Sequence, residues 1–232
     1  MSNLIGEIFG WIGTILSIIF YFAPIYQFNE LIKGKIDYKK IPFVLLTMSL
    51  LTIIFWVIYG INTKSYQIII TNLIGGIATL IFISIYLVYF SNKNMKKSSK
   101  YICSFIIINI ILIFIVFKFF NNDIIGFCAM IFNIMMFASP CLKIIQVYQT
   151  KDYKFLPISS SIAACASSTC WTIYGIGIND FKIIVPNALG LIFSIIQIFV
   201  FVIYYNMAKN QKNNIIKGLM ENTDSGKEIL QI

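Results

Sequence analysis

The chain counts 232 residues, 59% of them hydrophobic and only 12% charged, and its net charge of +9 rests on 18 basic residues that are all lysine. That composition excludes a soluble globule and places the chain in a lipid bilayer. The lysines sit between apolar stretches, which reads as anchoring beside anionic headgroups and not as nucleic-acid binding.

Seven apolar stretches follow one another, at approximately 5–29, 42–61, 66–90, 101–120, 124–148, 157–178 and 184–208. Each is about the 20 residues that a helix needs to cross a ~30 Å hydrocarbon core. The first has no basic leader and is too long for a signal-peptide core, so it belongs to the fold. Pro24 lies well along it, where a proline removes a backbone hydrogen bond and bends the helix. The second span opens at Pro42, a harmless first-turn position, and nears its end at Trp56 and Tyr59. The third carries Asn72 a few residues from its start. The fourth, without Pro, Gly or Trp, reads as an inert connector. The last three bring Pro140, Pro157, Trp171 and Asn187. All five cysteines fall inside spans, which suggests neither a disulfide framework nor a zinc site. There is no acid–base pair, phosphate loop or metal-ligand cluster, so neither an enzyme nor a cofactor or metal site is expected. Residues 209–232 are polar and read as a disordered tail.

Lysines 33, 35, 39 and 40, then 93, 96, 97 and 100, then 143, 151 and 154, and finally 209, 212, 217 and 227 all fall on one side of the spans. Only Lys64, Lys118 and Lys182 fall on the other. Basic loops stay cytoplasmic, so the N-terminus is expected outside and the C-terminus in the cytosol. Whether the host is the plasma membrane or an endomembrane is left open.

Residues 56–60 read WVIYG and residues 171–175 read WTIYG. Trp56 and Trp171, Tyr59 and Tyr174, Gly60 and Gly175, Asn72 and Asn187, Pro42 and Pro157, and Asp37 and Asp152 are each 115 positions apart. Gly10 and Gly126, like Pro24 and Pro140, are 116 apart. Residues 5–90 and 124–208 are therefore one three-span unit written twice, with 91–123 a linker that holds the fourth span. A directly following copy of three spans would be inverted; the fourth span turns it back, so the units lie parallel about an axis along the membrane normal.

At ~1.5 Å per residue both tryptophans and both asparagines lie roughly 5–10 Å below the outer surface. A lone Trp there is more often an interfacial anchor than a ligand platform, and a lone Asn either joins helices or faces a cavity. The shared spacing favours one central site instead. An indole face stacks on the apolar face of a pyranose, and a carboxamide offers donors and an acceptor to hydroxyls. With no histidine, and none of the nine acidic residues in the middle of a span, transport is expected to be passive.

The chain resembles the SWEET family of sugar facilitators over about residues 5–208. The resemblance rests on Ala-Pro at 23–24, Ser-Pro at 139–140, Pro42 and Pro157, the two Trp-x-x-Tyr-Gly endings, Thr-Asn at 71–72 and Pro-Asn at 186–187. It implies an all-α membrane protein with seven transmembrane helices, arranged as two parallel three-helix bundles joined by a linker helix. It also implies a bidirectional uniporter that alternates between outward-open and inward-open states. Asn72, Asn187, Trp56, Trp171, Phe20 and Met136 would line the sugar site. Pro24, Pro42, Pro140 and Pro157 would be the hinge, and Tyr59 and Asp180 the outer gate. Two large indoles narrow the site, which favours a monosaccharide such as glucose over sucrose. The alternative is a PQ-loop transporter of amino acids or another small solute, weakened because Ile25 and Cys141, not Gln, follow Pro24 and Pro140. A seven-helix receptor would explain the span count but not two matched sites. The partners implied are a small sugar and the bilayer; homo-oligomerisation is left open.

Overall fold

The computed structural model describes residues 2–136, 138–156 and 158–229, with side chains for 4–136, 141–156 and 158–216. The first span is bent: α1 (Ser2–Tyr21) ends, three residues turn, and α2 (Ile25–Ile32) begins. Pro24 has no N–H to give to the Phe20 carbonyl one turn back, and Ala23 gives its own at 3.0 Å. The chain thus crosses the bend in tight i→i−3 turns and leaves that carbonyl paired. Then come α3 (Phe43–Thr63), α4 (Tyr66–Phe90) and α5 (Met95–Phe119). Along the fifth span the described helices are α6 (Asn122–Met135) and α7 (Ala138–Thr150), with Pro140 in the first turn of α7. Pro157 lies outside the described residues. α8 (Ile158–Gly177) and α9 (Phe181–Ile229) complete the chain.

Among the described residues five stretches, Leu4–Ile32, Phe43–Thr63, Tyr66–Phe90, Met95–Phe119 and Phe181–Ile216, are long and apolar enough to cross a membrane. With rows of exposed Ile and Phe along α5, they make this an integral membrane protein. α8 is less apolar because it carries polar residues on a packed face: buried Ser161 donates to Gln197 Oε1 of α9 at 2.7 Å.

The connections are built twice. α3 closes at Lys64 in the left-handed region (φ 57°), and the Ser65 N–H returns to the Gly60 carbonyl at 2.9 Å. α8 closes in the same way at Asn179 (φ 55°), with the Asp180 N–H on the Gly175 carbonyl at 2.9 Å. These are the C-terminal caps that free helix ends need. At the other end, Asp37 accepts from the Lys39 N–H at 2.8 Å and starts a single 3-10 turn, and Asp152 does so with Lys154 at 3.0 Å.

Within each repeat the third helix lies between the first and second: α4 packs against α1 and α3, and α9 against α6 and α8. The repeats meet where α1 crosses α8 and where α3 crosses α6. Six helices therefore close a ring in the order α1, α4, α3, α6, α9, α8. α5 stands outside the ring, chiefly against α4.

One segment departs from expectation. α9 does not stop near residue 208 but continues to Ile229, into the tail that composition reads as disordered. A helix already nucleated by a membrane span extends without a new nucleation cost.

The Asp37 and Asp152 turns carry a test. Replacing either with Ala removes a capping acceptor and should cost about 1 kcal/mol, whereas Asn should be tolerated because it caps equally well. Thermal unfolding in detergent reads the difference. Equal losses for Ala and Asn would mean that the charge, and not the hydrogen bond, holds the turn.

Candidate functional site

The two repeats are tied together at the end of the ring where α3 turns into α4 and α8 into α9. The Tyr59 hydroxyl of α3 donates to Asp180 Oδ2 at 2.6 Å, just before α9. The Tyr174 hydroxyl of α8 shares a 2.6 Å hydrogen bond with Ser65 Oγ, just before α4. Tyr59 and Tyr174 are 115 apart, and so are Ser65 and Asp180. Each tyrosine thus reaches from one repeat to the helix start of the other.

Both rings lie over a glycine of the opposite repeat. A Cβ on Gly10 would stand 2.6 Å from Tyr174 Cδ2, and one on Gly126 would stand 2.6 Å from Tyr59 Cε2. No other residue fits there without moving the ring. Flanking the tyrosines, Gln67 Nε2 donates to Glu7 Oε2, and Lys182 Nζ pairs with Asp123 Oδ1 at 2.6 Å. Lys182 is buried, with its ammonium near the Tyr59, Phe127 and Phe181 rings.

Further in, Trp56 stands edge-on to Tyr59 and Trp171 edge-on to Tyr174, with ring centroids 5.8 and 5.6 Å apart. Trp56 and Trp171 belong to the same buried cluster as Tyr59, Tyr174, Ile68 and Ile183. The Trp171 Nε1–H donates across the repeats to Ser17 Oγ at 2.9 Å, and Ser17 shares a second hydrogen bond with Ser167 Oγ at 2.9 Å. Trp56 Nε1 has no such partner among the described residues; the place of Ser17 in the second repeat is taken by Asn133. On the α3–α6 side, Thr52 Oγ1 lies 3.8 Å from Met136 Sδ, and Phe55 packs on Phe132.

The asparagines stand one turn on from Ile68 and Ile183. Asn72 Nδ2 donates to the Ile68 carbonyl and Asn187 Nδ2 to the Ile183 carbonyl, both at 2.8 Å. Asn72 is 7% exposed, Trp56 7% and Trp171 8%, while Asn187 and Met136 are half-buried. Phe20 is 43% exposed and outside the buried cluster. Pro24 is half-buried at the first bend, and Pro42 is exposed at the start of α3. The layer is closed off at the tyrosine end. Two clefts, of about 420 Å³ beside Ala208–Ile216 and about 350 Å³ among Leu31, Asp37, Tyr38, Tyr89 and Lys93, both lie away from it.

Sequence reasoning singled out Tyr59 and Asp180 but missed Tyr174 and Ser65, together with Ser17 and Ser167. The offset of 115, applied to the first pair, points straight to the second. Ser17 and Ser167 left no comparable signal, because serine inside a span usually bonds its own helix. Among the described residues no cluster of metal-ligating side chains occurs.

The pattern of a family described as sugar efflux transporter for intercellular exchange matches residues 7–94 and 123–209. The bidirectional sugar transporter SWEET7b of Oryza sativa subsp. japonica is 27% identical over 92% of this chain and 83% of its own length. The bidirectional sugar transporter SWEET10 of Arabidopsis thaliana is 28% identical over 87% of this chain and 71% of its own. A eukaryotic SWEET transporter solved at 3.7 Å superposes with a TM-score of 0.77 at 22% identity, covering 88% of this chain and 99% of that one, which shows a shared fold.

The two crossed hydrogen bonds differ in strength. Tyr59 bonds a carboxylate, typically worth about 1.5–3 kcal/mol, and Tyr174 a neutral hydroxyl, about 0.5–1.5 kcal/mol. Cys170, buried beside Gly13 and Trp171, reports on this end. Its labelling by a thiol reagent, mapped by mass spectrometry, should accelerate in Tyr174→Phe and more so in Tyr59→Phe. Wild-type labelling rates in both would mean that the bonds do not hold the end shut.

Proposed function

Because the chain belongs to the SWEET family of sugar transporters, whose pattern spans both of its repeats, we infer that it carries a small sugar across the bilayer in either direction by alternating access. Members of this family move a solute without transforming it, and the PQ-loop alternative gives way to the family match. The observation that carries the reading is the closed tyrosine end above a layer of two Trp and two Asn, with helix bends on the far side of that layer.

In this reading Asn72 and Asn187 bond sugar hydroxyls with the groups that their helix-internal bonds leave over, and the indole faces of Trp56 and Trp171 stack on the ring. Phe20 and Met136 complete the walls. Tyr59 with Asp180, and Tyr174 with Ser65, form the outer gate, following the lysine distribution that puts this end outside. The units are 5–90 and 124–208, with the linker at 91–123. The bends at Pro24 and near Pro140, with Pro42 at the start of α3 and Pro157 as the fourth hinge proline, let the inner halves part while the outer halves stay together. Together the two crossed bonds are worth a few kcal/mol at most. Differential sugar binding of that size is enough to shift the balance between open states.

The lack of a mid-membrane carboxylate or histidine supports passive movement. Uptake of labelled glucose by proteoliposomes should stop at equal concentrations inside and out, whether or not a pH gradient is imposed. Accumulation driven by that gradient would overturn the reading.

The substrate is a monosaccharide, because both walls carry an indole. Trp56→Ser opens one wall and leaves Trp171 to stack, so the ratio of sucrose to glucose uptake should rise several-fold. A variant that loses glucose transport without gaining sucrose would show that wall width does not set the size limit.

A further inference from the structure

The two asparagines match in sequence and in their bonds to the preceding turn, yet their surroundings differ. A carbonyl oxygen only accepts, so the atom of Asn72 that faces the Ile68 carbonyl is its nitrogen, and the other end of the amide is oxygen. That oxygen lies 3.4 Å from the Tyr21 hydroxyl, which must then be the donor. The Tyr21 ring is held close against α4: a Cβ on Gly75, one turn past Asn72, would stand 2.5 Å from Tyr21 Cε2. Asn187 Oδ1 has no hydrogen-bond partner among the described residues. The place 116 residues after Tyr21 is Phe137, which has no hydroxyl.

We infer that Tyr21 is a positioning residue that fixes the Asn72 amide, so that the two halves of the site offer a ligand different hydrogen-bonding groups. A carboxamide has two N–H bonds and two lone pairs on oxygen. Asn72 spends one N–H on Ile68 and one lone pair on Tyr21, which leaves one of each in a set orientation. Asn187 spends only the N–H, which leaves one N–H and both lone pairs on an amide anchored at a single point. Asn72 is thus the rigid reader and Asn187 the adaptable one, and a ligand with no symmetry of its own has a preferred way round in a nearly two-fold site. Tyr21 is also the last residue of α1 before the bend, so the rigid reader is tied to the end of the helix that turns there.

The inference rests on the transport reading for its ligand, and its test separates the two. Labelled D-glucose is the probe, with initial rates measured in proteoliposomes. Tyr21→Phe keeps the ring against Gly75 and removes only the donor. It should raise KM by about three- to tenfold, the worth of one neutral hydrogen bond, and leave kcat within about twofold. The same rise should appear in an Asn187→Ala background and vanish in an Asn72→Ala background. An unchanged KM, a fall in kcat instead, or an equal rise on top of Asn72→Ala would overturn the inference. A wild-type protein that moves no glucose would sink the transport reading alone. The bond is then read from the side-chain amide resonances of ¹⁵N-asparagine-labelled protein: Tyr21→Phe should shift the Asn72 pair and leave the Asn187 pair in place, and an unmoved Asn72 pair would overturn it.

Discussion

Everything else in the structure leans on two tyrosine hydroxyls that cross from one repeat to the helix start of the other. Asp180 gives one carboxylate oxygen to Tyr59 at 2.6 Å and the other to the Lys182 N–H at 3.0 Å, at the start of α9. Ser65 divides itself in the same way between Tyr174 at 2.6 Å and the Ile68 N–H at 3.4 Å. A side chain that begins a helix and also joins two bundles couples local structure to assembly. The arrangement needs the third helix of each repeat between the other two, a left-handed residue before each cap, and a glycine beneath each ring. All three are present twice.

The bilayer explains why so few polar contacts cross between bundles. A polar side chain in hydrocarbon must find a partner, and the nearest is usually the carbonyl four residues back. Thr14, Thr52, Asn72, Asn109, Thr169, Thr172, Asn187 and Ser194 all use it. Such bonds satisfy the group without adding to cohesion between helices, which falls to apolar packing and the few crossing contacts. The asparagines keep spare hydrogen-bonding capacity after this bond.

The repeats share a frame and differ in chemistry. Asp180 answers Ser65, Lys182 answers Gln67, and Asp123 answers Glu7, so one crossing sets two carboxylates and an ammonium where its mate has one carboxylate, a hydroxyl and an amide. The charged side carries little extra stability from its ion pair. Asp123 is 77% exposed, so solvent screens that pair even though Lys182 is buried. What the difference does supply is inequivalence between two halves that share one frame.

The sequence by itself determined the membrane setting, the twofold repeat and the positions of Trp56, Trp171, Asn72 and Asn187, because span length and hydropathy are properties of the chain and the offset of 115 is arithmetic on it. The turns before and after each repeat's second span were legible too, since Asp37 and Asp152, like Gly60 and Gly175, act on neighbours a few residues away. Only the tertiary structure decided which helix sits between which, and hence that Tyr174 meets Ser65, that Trp171 meets Ser17 and that Tyr21 meets Asn72. Those partners are 109, 154 and 51 residues apart. Their encounter depends on how whole helices pack in a ring, a property of side-chain shape across several elements that no local pattern encodes. The helical continuation past residue 208 went unread for a related reason: composition weighs a segment alone, whereas a helix grows from the one already in place.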